Sequence, residues 1–348
     1  MRLTKTILAS LALVATLGSL KGQDLHNTLF YMNPIHINPA FTGAFEGTYR
    51  IGGIYRDQYR SVVKNAYSTP TIFIDAPILM LGKRHWLGVG GLLFQDVAGT
   101  GKMKISAMQL SGALHLALDK KSQNVFTIAA QYGKVQRSIK DPNAFIYGDY
   151  LEQVQSNMTN PMTQDQIFGQ GGTTGQDPQK SFTDINAGLL FKSKVDKNTN
   201  YNIGVSVRHI TTPTYEFKAQ TPDLPMRFTV HGQLNTPLTG KWSISPEVYF
   251  TSLSPARQWQ LHGWAGYMLK PEKNIKLNFG LGYRGSDSGQ VLLGMDYGDV
   301  KAALSYDVTL SKLNDANNYK GGFELAVYYI GKIYKKPTVP PVILGPHL

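Results

Sequence analysis

Between Lys273 and Arg284 the chain reads KNIKLNFGLGYR, with Ile275, Leu277, Phe279, Leu281 and Tyr283 on one face and Lys276, Asn278, Gly280, Gly282 and Arg284 on the other. Period-2 alternation is the signature of a strand with two unlike faces. Twelve residues of it is about twice the length of an ordinary strand. The same alternation runs through Lys301 to Ser311, where Ala302, Leu304, Tyr306, Val308 and Leu310 share a face, and through Tyr201 to Arg208, where Ile203, Val205 and Val207 do. In each stretch the opposite face is small, polar or charged.

A soluble sandwich also has one apolar and one polar face, but with shorter strands and more Pro-rich turns. Here the strands are long and tyrosine is abundant, with 19 Tyr, 15 Phe and 4 Trp. No stretch after Leu17 approaches the roughly 20 apolar residues of a spanning helix. The pattern fits an all-β fold: a transmembrane antiparallel β-barrel of the outer membrane, with apolar side chains toward lipid and polar ones toward the lumen. Closure pairs every backbone group that lipid would leave unsatisfied.

Alternating segments fall at residues 48–60, 68–78, 86–96, 103–118, 123–137, 182–193, 199–210, 226–238, 241–251, 256–269, 273–284, 288–298, 299–310 and 320–334. Fourteen strands is an even number, as expected when both ends of the chain lie in the periplasm. The connections after even-numbered strands are short turns of the periplasmic kind, such as Asp119 to Gln123 and Leu238 to Lys241. Those after odd-numbered strands include Ser138 to Ser181 and Thr211 to Pro225, of the longer external kind. Ser138 to Ser181 contains GQGGTTGQDPQ and reads as a flexible outer loop, or else as a binding surface or a lid folded over the barrel mouth.

Residues 1–22 have the plan of a signal peptide: Arg2 and Lys5, an apolar run from Ile7 to Leu17, then small and polar residues. Their removal after Gly22 takes away Arg2, Lys5 and Lys21 and lowers the formal charge from +12 to +9. The remaining basic residues are scattered, without a basic run or a nucleic-acid-binding module, so no nucleic-acid partner is expected. The chain has no cysteine, which excludes a disulfide framework and a lipidated cysteine anchor. Beyond the leader, residues 23–47 form an N-terminal segment, periplasmic or inside the lumen. Residues 48–334 form the barrel, and residues 335–348 a Pro-rich periplasmic tail.

No catalytic, cofactor or metal chemistry is expected. GLGYRG, at Gly280 to Gly285, has the letters of a dinucleotide fingerprint but lies between two strands, with no helix to face a pyrophosphate. GTGKM, at Gly99 to Met103, lacks the upstream glycine and the hydroxyl residue of a phosphate loop. The eight histidines show no metal-ligand spacing, and no nucleophile motif is present. The inward-facing Arg50, Arg56, Arg208, Arg284, Asp296, Asp307 and Glu324 read as a lumen network of compensating charges, or as a selectivity filter.

YMNPIHINPAFTG, Tyr31 to Gly43, carries two Asn-Pro pairs. Proline donates no backbone hydrogen bond and biases its predecessor away from the helix, so a rigid, irregular segment is expected. It precedes the first strand and so starts on the periplasmic side, lying across the lower opening or folding into the lumen. There Asn38 and Pro39 are expected to fix a plug against lumen charges such as Arg56.

FYMNPIHINPAFTG followed by IYRDQYRS resembles the opening of the PorP/SprF family: Asn33-Pro34, then Asn38-Pro39-Ala40, an aromatic, a small residue and Gly43, and soon Arg56-x-Gln58-aromatic. Tyr59 stands where the family more often has Trp. DINAGLLF (from Asp184), IGVSVRHITTPT (from Ile203), ISPEVYF (from Ile244), FGLGYRGSD (from Phe279) and LSYDVTLSKLNDANNYKGGFELAVYY (from Leu304) follow in the family's order over nearly the whole mature chain. The C-terminal PPVILGPHL lacks the family's Pro-Cys-Pro-Arg-like ending. The resemblance implies a non-enzymatic outer-membrane component of the type IX secretion and gliding-motility machinery. Its implied partners are outer-membrane lipid, a secreted cargo such as an adhesin C-terminal domain, and other secretion or motor components. The rival reading is a pore for a hydrophobic or small polar solute, motivated by the barrel and by Asn-Pro-Ala elements near the N-terminus of long-chain fatty-acid transporters. An outer-membrane hydrolase, a third reading, has no motif behind it.

Overall fold

The computed structural model describes residues 27–60, 67–98, 102–140, 179–196, 198–214 and 223–333. Within them the chain forms a closed barrel of fourteen antiparallel strands in sequence order, with the last pairing to the first. The strands are β1 (Tyr49–Gln58), β2 (Tyr67–Leu81), β3 (His85–Ala98), β4 (Met103–Ala117), β5 (Asn124–Ile139), β6 (Gln179–Lys194) and β7 (Asn200–Arg208). They continue as β8 (Arg227–Pro237), β9 (Trp242–Leu253), β10 (Ala256–Lys270), β11 (Ile275–Arg284), β12 (Ser288–Tyr297), β13 (Val300–Thr309) and β14 (Lys320–Gly331). Closure runs from Tyr49↔Gly331 to Gln58↔Gly322. The expected leader, the bulk of the expected outer loop and the expected tail lie outside the described residues.

Burial is inverted relative to a water-soluble protein, because lipid rather than water meets the outer face. On β7, Ile203 and Val205 are 55% and 43% exposed while Asn202 and Ser206 are each 2% exposed. Alternation therefore places apolar side chains toward lipid and gathers polar ones inside, where they need partners. Aromatic pairs mark both rims: Trp242–Tyr267 and Tyr49–Tyr329 at one, Trp259–Tyr283 at the other. Such girdles suit the boundary between hydrocarbon and water.

Connections after even-numbered strands are short and define a turn end. The β12–β13 hairpin turns on Gly298 at φ +60°, a conformation glycine adopts without steric cost. The opposite rim, where odd-numbered strands finish, is the loop end. There a register irregularity in the β13–β14 pairing falls between Tyr306 and Val308, at Asp307. The expected boundaries agree with the observed strands to within a few residues. β2 runs further than its alternation indicated, because Pro77 and a register shift before Leu79 interrupt the pattern without ending the strand.

Candidate functional site

Residues 27–45 do not lie across the turn end; they occupy the lumen. Each Asn-Pro pair breaks regular structure and restarts it. Phe30–Met32 is a 3₁₀ turn, Pro34–Ile37 a single helical turn (α1) with proline at its first position, and Pro39–Phe41 a second 3₁₀ turn. Proline suits a first helical position because its missing N–H would be unpaired there anyway. The Asn38 side chain caps the second 3₁₀ turn by accepting from Ala40 N–H at 2.9 Å.

The segment enters the described structure at the loop end. Thr28 and Leu29 N–H donate to the two carboxylate oxygens of Glu324 at 2.6 and 2.7 Å, and Thr28 Oγ1 donates to Asp307 at 2.7 Å. Arg284 and Arg56 donate to the same hydroxyl at 2.6 and 3.1 Å. Arg284 also bonds Asp307 at 2.9 Å, while Arg56 pairs with Glu324 and reaches Asp307 at 3.3 Å. Gln58 accepts from Arg56 Nε at 3.3 Å. Two guanidinium groups thus face two buried carboxylates; both guanidinium groups also hold the Thr28 hydroxyl, and Glu324 accepts the two incoming backbone N–H groups. This balance makes burial of four charges tolerable.

At mid-depth Asn38 is wholly buried against β6, β7 and β8. Its amide nitrogen lies 2.9 and 3.2 Å from the carbonyls of Leu189 and Val205, and 3.1 Å from His231 Nε2. The inward positions opposite are Gly188, where an added Cβ would collide with the Asn38 carboxamide, and Gly204, where it would collide with the His231 ring and then with the Asn38 amide nitrogen. The segment reaches these carbonyls because the wall carries no side chain there. Asn38 therefore docks on strand backbone, not on Arg56, which instead meets Thr28. His231 Nδ1 lies 3.1 Å from Tyr31 Oη, which donates to Asn202 at 3.2 Å.

Toward the turn end the segment closes on another buried pair. Arg50 forks onto Asp75 at 3.0 and 2.8 Å and donates to Phe41 O at 3.1 Å; Asp75 accepts from Gly43 N–H at 2.7 Å. Gly43 has φ +69°, and a Cβ there would lie 2.8 Å from Gly88 Cα, so only glycine allows this approach. Trp86 Nε1 donates to Gly43 O at 3.0 Å and Lys192 Nζ to Ala44 O at 2.7 Å. Ala40 is buried in a cluster with Phe41, Ala44, Ala113, Ala129 and Leu190.

Of the residues singled out in the sequence, Arg56, Gln58, Arg284, Asp307 and Glu324 stand together around Thr28. Arg208 stands apart, on the β7 side, with its guanidinium 3.2 Å from the ring of His36. Asp296 is separate too, near the turn end, 3.6 Å from Lys301. Pro34 and Pro39 start their turns. Asn33 is buried, and its backbone carbonyl accepts from His36 and Ile37 N–H at 3.2 and 3.3 Å. Thr28 and Asp75 were not foreseen; a lone threonine before an aromatic run carries no signal, and Asp75 lies where proline disturbs the alternation. Asp184, which accepts from Gln109 at 3.1 Å and lies 2.8 Å from His209 Nδ1, was visible only within a family motif. Among the described residues no group of His, Asp and Glu is arranged to hold a metal ion.

A protein-family model described as "Type IX secretion system membrane protein PorP/SprF" matches residues 19–329. No curated protein matches the chain. Among solved structures, the TodX deltaS2S3 mutant monoaromatic hydrocarbon channel aligns with a TM-score of 0.50 at 10% identity, over 86% of this chain and 94% of its own. The CymD monoaromatic hydrocarbon channel gives 0.49 at 10% identity over 87% and 94%. The Ralstonia pickettii toluene transporter TbuX gives 0.49 at 10% identity over 86% and 93%. The likeness at these identities concerns the fold.

Proposed function

The chain belongs to the PorP/SprF family of type IX secretion system membrane proteins, and from that membership we propose a non-enzymatic outer-membrane barrel that binds or anchors a secreted cargo at the cell surface. The observation that carries the reading is the family match combined with a lumen occupied by residues 27–45. An occupied lumen leaves the rims and the outer wall as the surfaces on which a protein partner can act. The cargo element is an adhesin-type C-terminal domain, received at the loop end, with other secretion or motor components meeting the turn end.

The test is a strain lacking this protein, with type IX cargo quantified on the cell surface and in the medium. The expected result is at least one cargo lost from the surface and recovered in the medium or retained inside. Normal surface display of every cargo would overturn the proposal. The fold shared with the TodX hydrocarbon channel favours a second reading, a pore for a hydrophobic or small polar solute. Solute uptake by the purified barrel in liposomes, alongside unchanged cargo display in the deletion strain, would support that reading instead.

A further inference from the structure

The outer wall carries a groove of about 500 Å³ across β2 to β5, toward their loop ends. The register defines its two banks. Ile72↔Leu93, Leu93↔Met108 and Met108↔Lys134 form one row of outward side chains, and Gln95↔Ser106↔Gln136 the next. Outward rows lie two residues apart along a strand, about 6.6 Å. The trough between them is floored by Phe94 and Ala107, whose side chains turn inward.

Two local features open this trough. Thr69 and Pro70 drop out of the β2–β3 ladder between Ser68↔Val97 and Thr71↔Phe94. Proline has no N–H to donate, and its ring presents a short, rigid bank. Ser106 is short as well. The banks then differ in polarity. Ile72, Leu93 and Met108 are all more than half exposed to the membrane side, whereas β5 supplies Lys134 and Gln136. Lys134 engages no carboxylate among the described residues. A cation with no carboxylate partner among the described residues, at the end of an apolar trough facing lipid, is the complement of an anionic head group joined to a hydrocarbon tail.

We propose that this groove is a specific site for one anionic lipid of the leaflet on the loop side, with its phosphate at Lys134 and Gln136 and an acyl chain along Met108, Leu93 and Ile72. The floor links it to the lumen: the Phe94 ring lies 5.8 Å from the His36 ring of the inner segment. A lipid in the groove and the segment in the lumen therefore pack against opposite sides of the same stretch of wall.

The test uses the full-length protein in detergent, titrated with phosphatidylglycerol or phosphatidylcholine of matched chains and examined by native mass spectrometry. The expected result is one retained phosphatidylglycerol per barrel, preferred at least five-fold over phosphatidylcholine. Lys134→Gln should reduce the preference to near unity while an acyl lipid is still retained. Leu93→Trp, which fills the trough from the outside, should abolish retention, and Ile203→Trp on the far wall should leave it unchanged. No preference in the wild type, an unaltered preference in Lys134→Gln, unaltered retention in Leu93→Trp, or equal losses in Leu93→Trp and Ile203→Trp would each overturn the site.

Discussion

Asn38 reaches two strand carbonyls and an imidazole through one amide nitrogen, so its replacements separate hydrogen bonding from shape. Asn38→Ala removes the donor and should destabilise the barrel by about 1–3 kcal/mol. Asn38→Asp keeps the shape but presents a carboxylate to two carbonyl oxygens, so it should be worse than alanine. Urea unfolding followed by heat-modifiable mobility measures both; an Asp variant as stable as wild type would show that the amide is not the anchor. The same site accounts for two wall glycines. Gly188→Ala should destabilise the wild type more than it does the Asn38→Ala variant, since the colliding partner is then gone. Sequence alone exposed the two Asn-Pro pairs as punctuation but not their partners. Glycine at 188 and 204 reads equally as a small lumen residue, and the acceptors are backbone carbonyls, which leave no trace in a residue pattern.

The strands themselves were legible because lipid outside and a polar interior impose period 2 on every one of them, and a strand has no other way to satisfy both sides. What the alternation could not supply was which inward charges meet. Arg56, Arg284, Asp307 and Glu324 come together because β11, β13, β14 and β1 bring those positions to one level near the loop end, and Arg208 is excluded because β7 lies across the barrel. Register over the whole circumference, not local sequence, decides this. Glu324→Gln should cost about 3–5 kcal/mol by leaving the two buried guanidinium groups to share Asp307, read from the urea midpoint, whereas Asp296→Asn, near the turn end, should cost far less. The turns carry their own electrostatics. In the β4–β5 turn burial acts to raise the Asp119 pKa, but N–H donors from Gln123, Asn124 and Lys121 outweigh it and hold the carboxyl below its usual value. A depressed carboxyl stabilises the fold above its unfolded pKa of about 3.9 and loses that effect as pH falls through the folded value. Asp119→Ala should therefore unfold at lower urea than wild type at pH 7, with the gap closing below about pH 4; a gap that widened on acidification would contradict the assignment.

At the scale of the molecule, the question is whether the lumen conducts. The inner segment meets the wall in every direction. Leu29 packs on Ile54, Leu292, Ala303 and Ala326, Ile35 on Phe73, Leu92 and Tyr328, and Ile37 and Phe30 on Tyr249. Ala40 and Phe41 fill the side formed by Ala113, Ala129 and Leu190, and Asn38 the side formed by β6 to β8. Burying Leu29, Phe30, Ile35, Ile37, Phe41 and Phe45 contributes roughly 1.5–3 kcal/mol each, together on the order of 10 kcal/mol, before the charged anchors at either end. A segment held that firmly is not displaced by a passing ion, so the intact barrel should show no steady conductance in a planar bilayer. Deleting residues 31–40 removes the mid-depth packing, and the five residue steps left between Thr28 and Gly43 span at most about 18 Å, too short to hold Thr28 at its arginines and Gly43 at Asp75 together. The deletion should open an ion-conducting path lined by the exposed polar side chains of β6 to β9 and lower the temperature at which the barrel loses its folded mobility. Steady conductance in the wild type, or a deletion variant as closed and as heat-resistant as the wild type, would remove the seal from the account and bring the solute-pore reading forward.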